Sequence, residues 1–265
     1  MPRYTARTAD KHELYQLAVQ SPAAEVAFVD RAYRERYGSY PARFREDFCG
    51  TALVACEFAS TRPNNLAWGV DLDRPTLDWG RRHNLARLPP DVARRVRLVH
   101  RDVRRVRRPP VQVIGAFNFS YYLFKTFAEL VGYFRQARRC LEEPGLMVVD
   151  AYGGYEAQQV MQERTRRPGF TYVWDQAEYN PINDHTVCHI HFRFPDGTQL
   201  RRAFTYDWRL WTLGGIRDAF AAAGFSSTLV YWEGLTRAGL GNGRYTRRES
   251  AENTAGWNAY IVAVP

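Results

Sequence analysis

Apolar residues recur at helical spacing near the start of the chain: Leu14, Leu17 and Ala18, then Val26, Val29, Ala32 and Tyr33. The spacing predicts two helices, the first closed at Ser21-Pro22 and the second at Gly38. From Arg43 to Asp150 short strand-like runs alternate with helical ones. The runs "ARFREDF", "AWGVDL", "RVRLVHRD", "VQVIGAFNF" and "LMVVDAY" are separated by "GTALVACEFAST", "RPTLDWGRRHNLARL" and "TFAELVGYFRQARRCLEE", the last ending at Pro144-Gly145. Such alternation predicts βαβ units and a parallel sheet covered on both faces. Beyond Asp150 the period becomes two, and a Pro195–Gly197 turn joins "TVCHIHFRF" to "TQLRRAFTY" as an antiparallel hairpin. A helix in "LGGIRDAFAAAGF" and strands in "STLVYWEG" and "WNAYIVAV" close the chain, with a glycine-rich charged loop from Leu235 to Gly256.

These elements predict an α/β fold with a doubly wound, mostly parallel seven-stranded sheet. Its parts are a helical cap over 1–42, a core of 43–152 and 211–265, and an antiparallel insert over 153–210 that covers the strand ends. A chain of 265 residues with 45% hydrophobic content suffices for one such core. The longest apolar runs fall far below the roughly 20 residues that cross a bilayer, and the start of the chain lacks an apolar signal core. A soluble, cytoplasmic protein is expected. Cys49, Cys56, Cys140 and Cys188 form no CxxC pair, so no zinc site is predicted and they read as small buried residues.

Charge complicates this picture. Lys and Arg outnumber Asp and Glu by 37 to 28, a net charge of +9, and eight arginines lie between Arg94 and Pro110. The run fits either a phosphate-binding surface or the solvated flank of a short strand. No aromatic residue interleaves with it, which argues against single-stranded nucleic acid.

In an open parallel sheet, ligands sit beyond the carboxyl ends of the strands. The first strand runs into "EDFCGTA", where Gly50 allows close backbone approach as a helix begins. Asp71 ends the second strand in "GVDLD", 25 positions after Glu46, near the roughly 20-residue offset of an acidic residue that holds ribose hydroxyls. Asp102 ends the third, Asn118 the fourth and Asp150 the fifth.

This series resembles the class I, Rossmann-fold methyltransferases that use S-adenosylmethionine, of the small-molecule type. "EDFCGTA" matches the family's first motif through Glu46, Cys49, Gly50 and Thr51, and departs from it at Phe48 and Ala52, where glycines are usual. The resemblance implies S-adenosylmethionine as cofactor and S-adenosylhomocysteine as product. It places Gly50 against the methionine part, Asp71 with Leu72 at the ribose, Asp102 and the Val103 amide at the adenine, and Asn118 with Phe119 on the floor near the sulfonium. A loop with one central glycine suits a phosphate-free nucleoside better than a pyrophosphate.

Three regions are candidates for handling the methyl acceptor. Tyr15 matches a tyrosine that small-molecule members place over the cofactor, or is an apolar-face helix residue. "NFSYY" has an N-x-x-Y outline without the prolines of the nucleic-acid and glutamine enzymes, and directs Tyr121 or Tyr122 toward substrate. In "HTVCHIHFRF", Cys188, Ile190, Phe192 and Phe194 share the core face, while His189 and His191 on the other face are a cleft base, a metal site or plain surface. The aromatic-rich insert suits an apolar or cationic small molecule. Transfer to N or O of a small molecule is therefore expected. The alternatives are an RNA or protein acceptor using the arginine run, or cofactor binding without catalysis; oligomeric state is left open.

Overall fold

The structure, a computed structural model, describes residues 4–237 and 239–265. Residues 1–3 of the expected cap and position 238 of the expected loop lie outside the described residues. Five parallel strands form the centre: β1 (Arg43–Asp47), β2 (Leu66–Asp71), β3 (Val96–His100), β4 (Val111–Ala116) and β5 (Leu141–Gly153). A second, antiparallel sheet contains β6 (Met161–Arg167), β7 (Phe170–Asn180), β8 (His185–Arg193) and β9 (Gln199–Arg209) in that order. The first sheet is completed by β10 (Ser227–Leu235), β11 (Gly241–Arg247) and β12 (Trp257–Val264), giving the order β11-β10-β12-β5-β4-β1-β2-β3. Between β1 and β4 the winding reverses, so the chain leaves these neighbours in opposite directions and opens a crevice at their carboxyl ends.

Among the described residues the sheet therefore has eight strands, not seven. The additional strand, β11, lies inside the stretch read as a loop, and its Gly, Asn and Arg content carries no strand signal. Its conformation comes from pairing with β10, Glu233 opposite Tyr245 and Tyr231 opposite Arg247. β6 is equally silent in sequence, because "MQERTRR" is a polar, largely exposed edge strand.

Among the described residues seven helices surround this frame: α1 (Lys11–Val19), α2 (Pro22–Tyr37), α3 (Leu53–Thr61), α4 (Arg74–His83), α5 (Pro90–Ala93), α6 (Phe127–Arg138) and α7 (Leu213–Ala222). Asp10 caps α1 by accepting from the His12 and Glu13 amides, and Thr126 with Glu129 forms a capping box on α6. α6 ends at Arg138, and Leu141 to Glu143, expected in the helix, enter β5. One face of the large sheet packs on α6 and α7, whose Phe134 and Phe220 rings stack at 3.8 Å. The other packs on α2 and α3 around Phe28, Phe44 and Phe58. All four cysteines are buried. No described helix is long and apolar enough to cross a membrane.

The charged central strand "RFRED" is accommodated by pairing within itself. Arg45 and Asp47 are two residues apart and point to one face, where Arg45 Nε and Nη2 donate to Asp47 Oδ1 and Oδ2 at 2.8 and 3.0 Å. Tyr133 on α6 adds a hydrogen bond to Asp47 Oδ2 at 3.0 Å. Arg45 is 1% exposed and Asp47 is wholly buried. On the opposite face, Phe44 enters the core and Glu46 accepts the Ala55 amide of α3 at 2.9 Å. Removing one partner of a buried pair leaves an uncompensated charge, whereas replacing the whole set by apolar groups does not. Arg45→Met alone is expected to cost about 3–5 kcal/mol in urea denaturation. The combination Arg45→Met, Asp47→Leu and Tyr133→Phe is expected to recover most of that loss; an equal or larger loss would show that the pair has a role besides mutual neutralisation.

Candidate active site

The loop after β1 keeps a glycine-type backbone without the glycines. Phe48 and Ala52 both have φ of 57°, in the left-handed region, at the two positions where the motif normally carries glycine. Gly50 lies between them, and its amide donates to Asp71 Oδ2 at 2.7 Å. The other Asp71 oxygen accepts the Asp73 amide at 2.8 Å. Each oxygen thus keeps a lone pair for a ligand hydroxyl. Burial raises the Asp71 carboxyl above its ordinary value, while the two amides oppose that shift.

Thr51 fixes this loop to two helices. Its hydroxyl accepts from Gln16 Nε2 of α1 at 2.7 Å, and its carbonyl accepts from Asn84 Nδ2 at 2.9 Å. That carbonyl lies flat on Gly80 of α4, where a Cβ would sit 2.3 Å from the Thr51 oxygen. Cys49 is buried beneath the loop. Leu72, next to Asp71, is 68% exposed and offers an apolar surface beside that carboxylate. Donor set and wall fit a phosphate-free nucleoside: carboxylate for the ribose, apolar contact for the base, and side chains at Phe48 and Ala52 where a pyrophosphate would need open amides.

At the end of β3 the expectation meets a competitor. Asp102 is held by its own neighbour: Arg104 donates from its amide and through its guanidinium, with Nη2 to Oδ2 at 2.7 Å. The Arg104 hydrogen bonds keep this carboxyl below its ordinary value. Val103 is buried in the core. An adenine amino group would meet an acceptor already satisfied by Arg104. Within the arginine run, Arg95 Nη1 donates to the carbonyls of Ala59, Arg62 and Asn65, so this member is engaged inside the fold.

After β4, Asn118 and Phe119 are both left-handed, with φ of 57°. Asp150 at the β5 end accepts their amides, at 2.6 and 2.9 Å. Asn118 and Phe119 both line a cavity of about 560 Å³. The cavity is bounded by α1, the start of α2, the inner face of the second sheet and the β10–β12 edge. Tyr15, Tyr206, Trp208, Tyr245 and Tyr260 are among its aromatic walls. Five carboxylates line it, Glu25, Asp150, Glu156, Glu163 and Glu233; among the described residues no lysine, arginine or histidine does.

The acceptor-side candidates separate. Tyr15 lines the cavity beside Phe204, ring centroids 4.9 Å apart, and burial pushes its phenol up, so it serves as a neutral donor or wall. Tyr122 is fully buried in the core, its hydroxyl directed at the Tyr152 and Trp211 carbonyls, and is not among the lining residues. The turn after Phe119 is a tight helical one that carries Tyr121 and Tyr122 inward. Ile190 lines the cavity, so His189 and His191 occupy the opposite face of the second sheet. There His191 Nε2 lies 3.0 Å from Asp175 and its Nδ1 accepts the Arg202 amide, while His189 Nδ1 pairs with Thr205. Among the described residues no group of three His, Cys, Asp or Glu side chains forms a metal set.

Glu25 and Asp150, both in the cavity, carried no sequence assignment as site residues. Asp150 is visible only as one more polar strand end. Glu25 does have a signal: it lies four residues before Val29 and seven before Ala32, on the buried stripe of α2. Burial drives both carboxyls upward, Glu25 to about 8 and Asp150 to about 7.

No protein-family model matches the chain, and no curated protein matches it. Solved structures do, over nearly the whole length. An S-adenosylmethionine-dependent methyltransferase from Clostridium acetobutylicum is 15% identical, with a TM-score of 0.68 over 94% of this chain and 96% of that one. An amino pentose methyltransferase of calicheamicin biosynthesis from Micromonospora echinaspora, with S-adenosylmethionine bound, is 20% identical, with a TM-score of 0.67 over 96% and 95%. A sugar N-methyltransferase from Streptoalloteichus is 19% identical, with a TM-score of 0.63 over 100% and 94%. The chain has the Rossmann-like fold of S-adenosylmethionine-dependent methyltransferases.

Two outcomes follow from this geometry. Gly80→Ala drives a methyl into the Thr51 carbonyl, and is expected to lower stability by about 1–3 kcal/mol in urea denaturation. A loss within about 0.5 kcal/mol would mean the loop is free to move. Glu25 and Asp150 bind a proton more tightly when folded than unfolded, so the stability they contribute is complete below about pH 4 and is lost as pH rises through about 7 to 8. The thermal midpoint is expected to fall between about pH 5 and pH 8, and to fall less in Glu25→Gln.

Proposed function

We propose that the chain is an S-adenosylmethionine-dependent methyltransferase that acts on nitrogen or oxygen of a small molecule. One observation carries the reading: the loop held by Asp71 follows β1, and Asn118 and Phe119, which line the aromatic cavity, follow its neighbour β4, so both stand at the switch point of the sheet. A binding protein without catalysis has no use for a second, aromatic cavity at the neighbouring strand end. The solved neighbours described as acting on an amino pentose and on sugar nitrogen agree with a small acceptor. A polymer with a phosphate backbone is disfavoured, because five carboxylates line the cavity and repel it.

In this reading Asp71 holds the ribose diol, Gly50 and Thr51 approach the methionine part, and Leu72 covers the base. When bound, S-adenosylmethionine supplies an electrophilic methyl on a positively charged sulfur. The chain's contribution is chiefly orientation and the exclusion of water, which are worth several kcal/mol when reacting atoms are held in line. Asn118 and Phe119 fix the floor, their backbone set by Asp150. Tyr15 and the aromatic side chains of β9 enclose the acceptor.

Methyl-labelled S-adenosylmethionine incubated with the protein and fractionated cell extract is expected to label a small molecule and to leave RNA and protein unlabelled. Label confined to RNA or protein would replace this reading with a polymer acceptor. Calorimetry is expected to show S-adenosylmethionine binding that weakens at least about 10-fold in Asp71→Asn, the order of a lost charge-assisted hydrogen bond. Unchanged affinity would remove Asp71 from the ribose.

A further inference from the structure

The charge of the cavity runs against the charge of the protein. A chain of net charge +9 places five carboxylates and, among the described residues, no cationic side chain around one aromatic cavity. Most of these carboxylates have other engagements or stand at the rim. Asp150 accepts the two backbone amides described above, and Glu233 accepts from the Gly243 amide and from Asn258 Nδ2. Glu163 is exposed and Glu156 only part-buried. Glu25 differs. It is 7% exposed, lines the cavity from the first turn of α2, and its Oε2 is buried without any hydrogen-bond partner.

A buried carboxyl oxygen with no partner costs stability unless something arrives to satisfy it. The groups facing Glu25 offer no counter-charge. Asp150 on β5 and Glu46 on β1 are both acidic, and Tyr15, Tyr245 and Tyr260 face it from α1, β11 and β12. Only the Ser21 amide eases its burial. What completes this environment is a positive charge with N–H donors, surrounded by aromatic faces that attract cations.

We propose that the methyl acceptor enters as an organic cation whose ammonium group is held by Glu25, and that Glu25 then takes a proton from that nitrogen; this rests on the methyltransferase reading above. The N–H bond breaks, the Glu25 Oε2–H bond forms, and the electron pair stays on nitrogen as the lone pair that a methyl transfer requires. A carboxyl that titrates near neutral pH suits this exchange, since an ordinary one is too weak a base to compete with an amine. The methionyl end of S-adenosylmethionine also carries an ammonium, but with a carboxylate beside it, and a zwitterion gains little from a cavity lined by one sign of charge.

Calorimetry with 2-phenylethylamine and its neutral counterpart 2-phenylethanol, in the absence of S-adenosylmethionine, tests the assignment without relying on turnover. The full chain is expected to bind the amine at least about 10-fold more tightly than the alcohol, with an amine affinity that rises as pH increases through about 8 while the alcohol affinity stays flat. Glu25→Gln is expected to remove that preference and its pH dependence, with the affinities for the alcohol and for S-adenosylmethionine unchanged. Equal binding of amine and alcohol, or no amine binding by the folded wild type, overturns the proposal. So does a Glu25→Gln variant that weakens S-adenosylmethionine but not the amine, which would assign the ammonium to the cofactor. Should Glu25→Gln fail to fold, the wild-type pH dependence decides alone. Failure of the wild type to bind S-adenosylmethionine, with the amine preference intact, would instead strike at the methyltransferase reading.

Discussion

Asp150 accepts the amides of Asn118 and Phe119, Asp71 accepts that of Gly50, and Glu46 that of Ala55. In each case a carboxylate at a strand end takes up N–H groups of a neighbouring segment. The site depends on this because its loops are conformationally expensive. Phe48, Ala52, Asn118 and Phe119 all stand in the left-handed region, at roughly 1–2 kcal/mol each for residues with a Cβ. A hydrogen bond to a charged group returns about 1.5–3 kcal/mol, so the carboxylates are of the right size to hold these turns. The glycines usual in such a motif become dispensable when anions fix the backbone instead.

The same anions set the electrostatics of the cavity. Burial raises Asp150 and Glu25 toward neutral pH, and Glu46 well above its ordinary range. Asp150 and Glu25 line the cavity and ionise near neutral pH, which makes it a place where positive charge is welcome and phosphate is not. The basic surface of the protein and its acidic interior are therefore separate features. Arg95 and Arg104 show that part of the arginine-rich stretch serves the fold, the first capping α3 with three carbonyl contacts and the second occupying Asp102.

Much of the frame was legible in the chain, because βαβ alternation is written in hydrophobic period and length. Strand ends follow from that frame, so the positions of Gly50, Asp71 and Asn118 could be read. The edge strands β6 and β11 could not, since their residues are polar and their conformation is lent by a neighbour. Nor could the cavity, whose acids come from α2, β5, the turn after β5, β6 and β10 and converge only in three dimensions. Tyr122 follows Asn118 closely in sequence, yet one tight turn sends it into the core. For His189 and His191 the alternation with Cys188 and Ile190 does reveal opposite faces; what it lacks is the position of the cavity, which lies on the Ile190 side. "RFRED" looked wrong for a central strand because pairing between Arg45 and Asp47 two positions apart is invisible to any hydrophobicity pattern.

In the proposed arrangement the strand ends of β1, β2 and β4 hold a phosphate-free nucleoside with its reactive sulfur turned toward the acidic cavity. A crystal structure of the protein with S-adenosylhomocysteine tests it most directly. Ribose hydroxyls are expected within hydrogen-bond distance of Asp71, and the sulfur at the cavity wall formed by Asn118 and Phe119. A nucleoside lodged elsewhere, or a sulfur facing away from that wall, would contradict it.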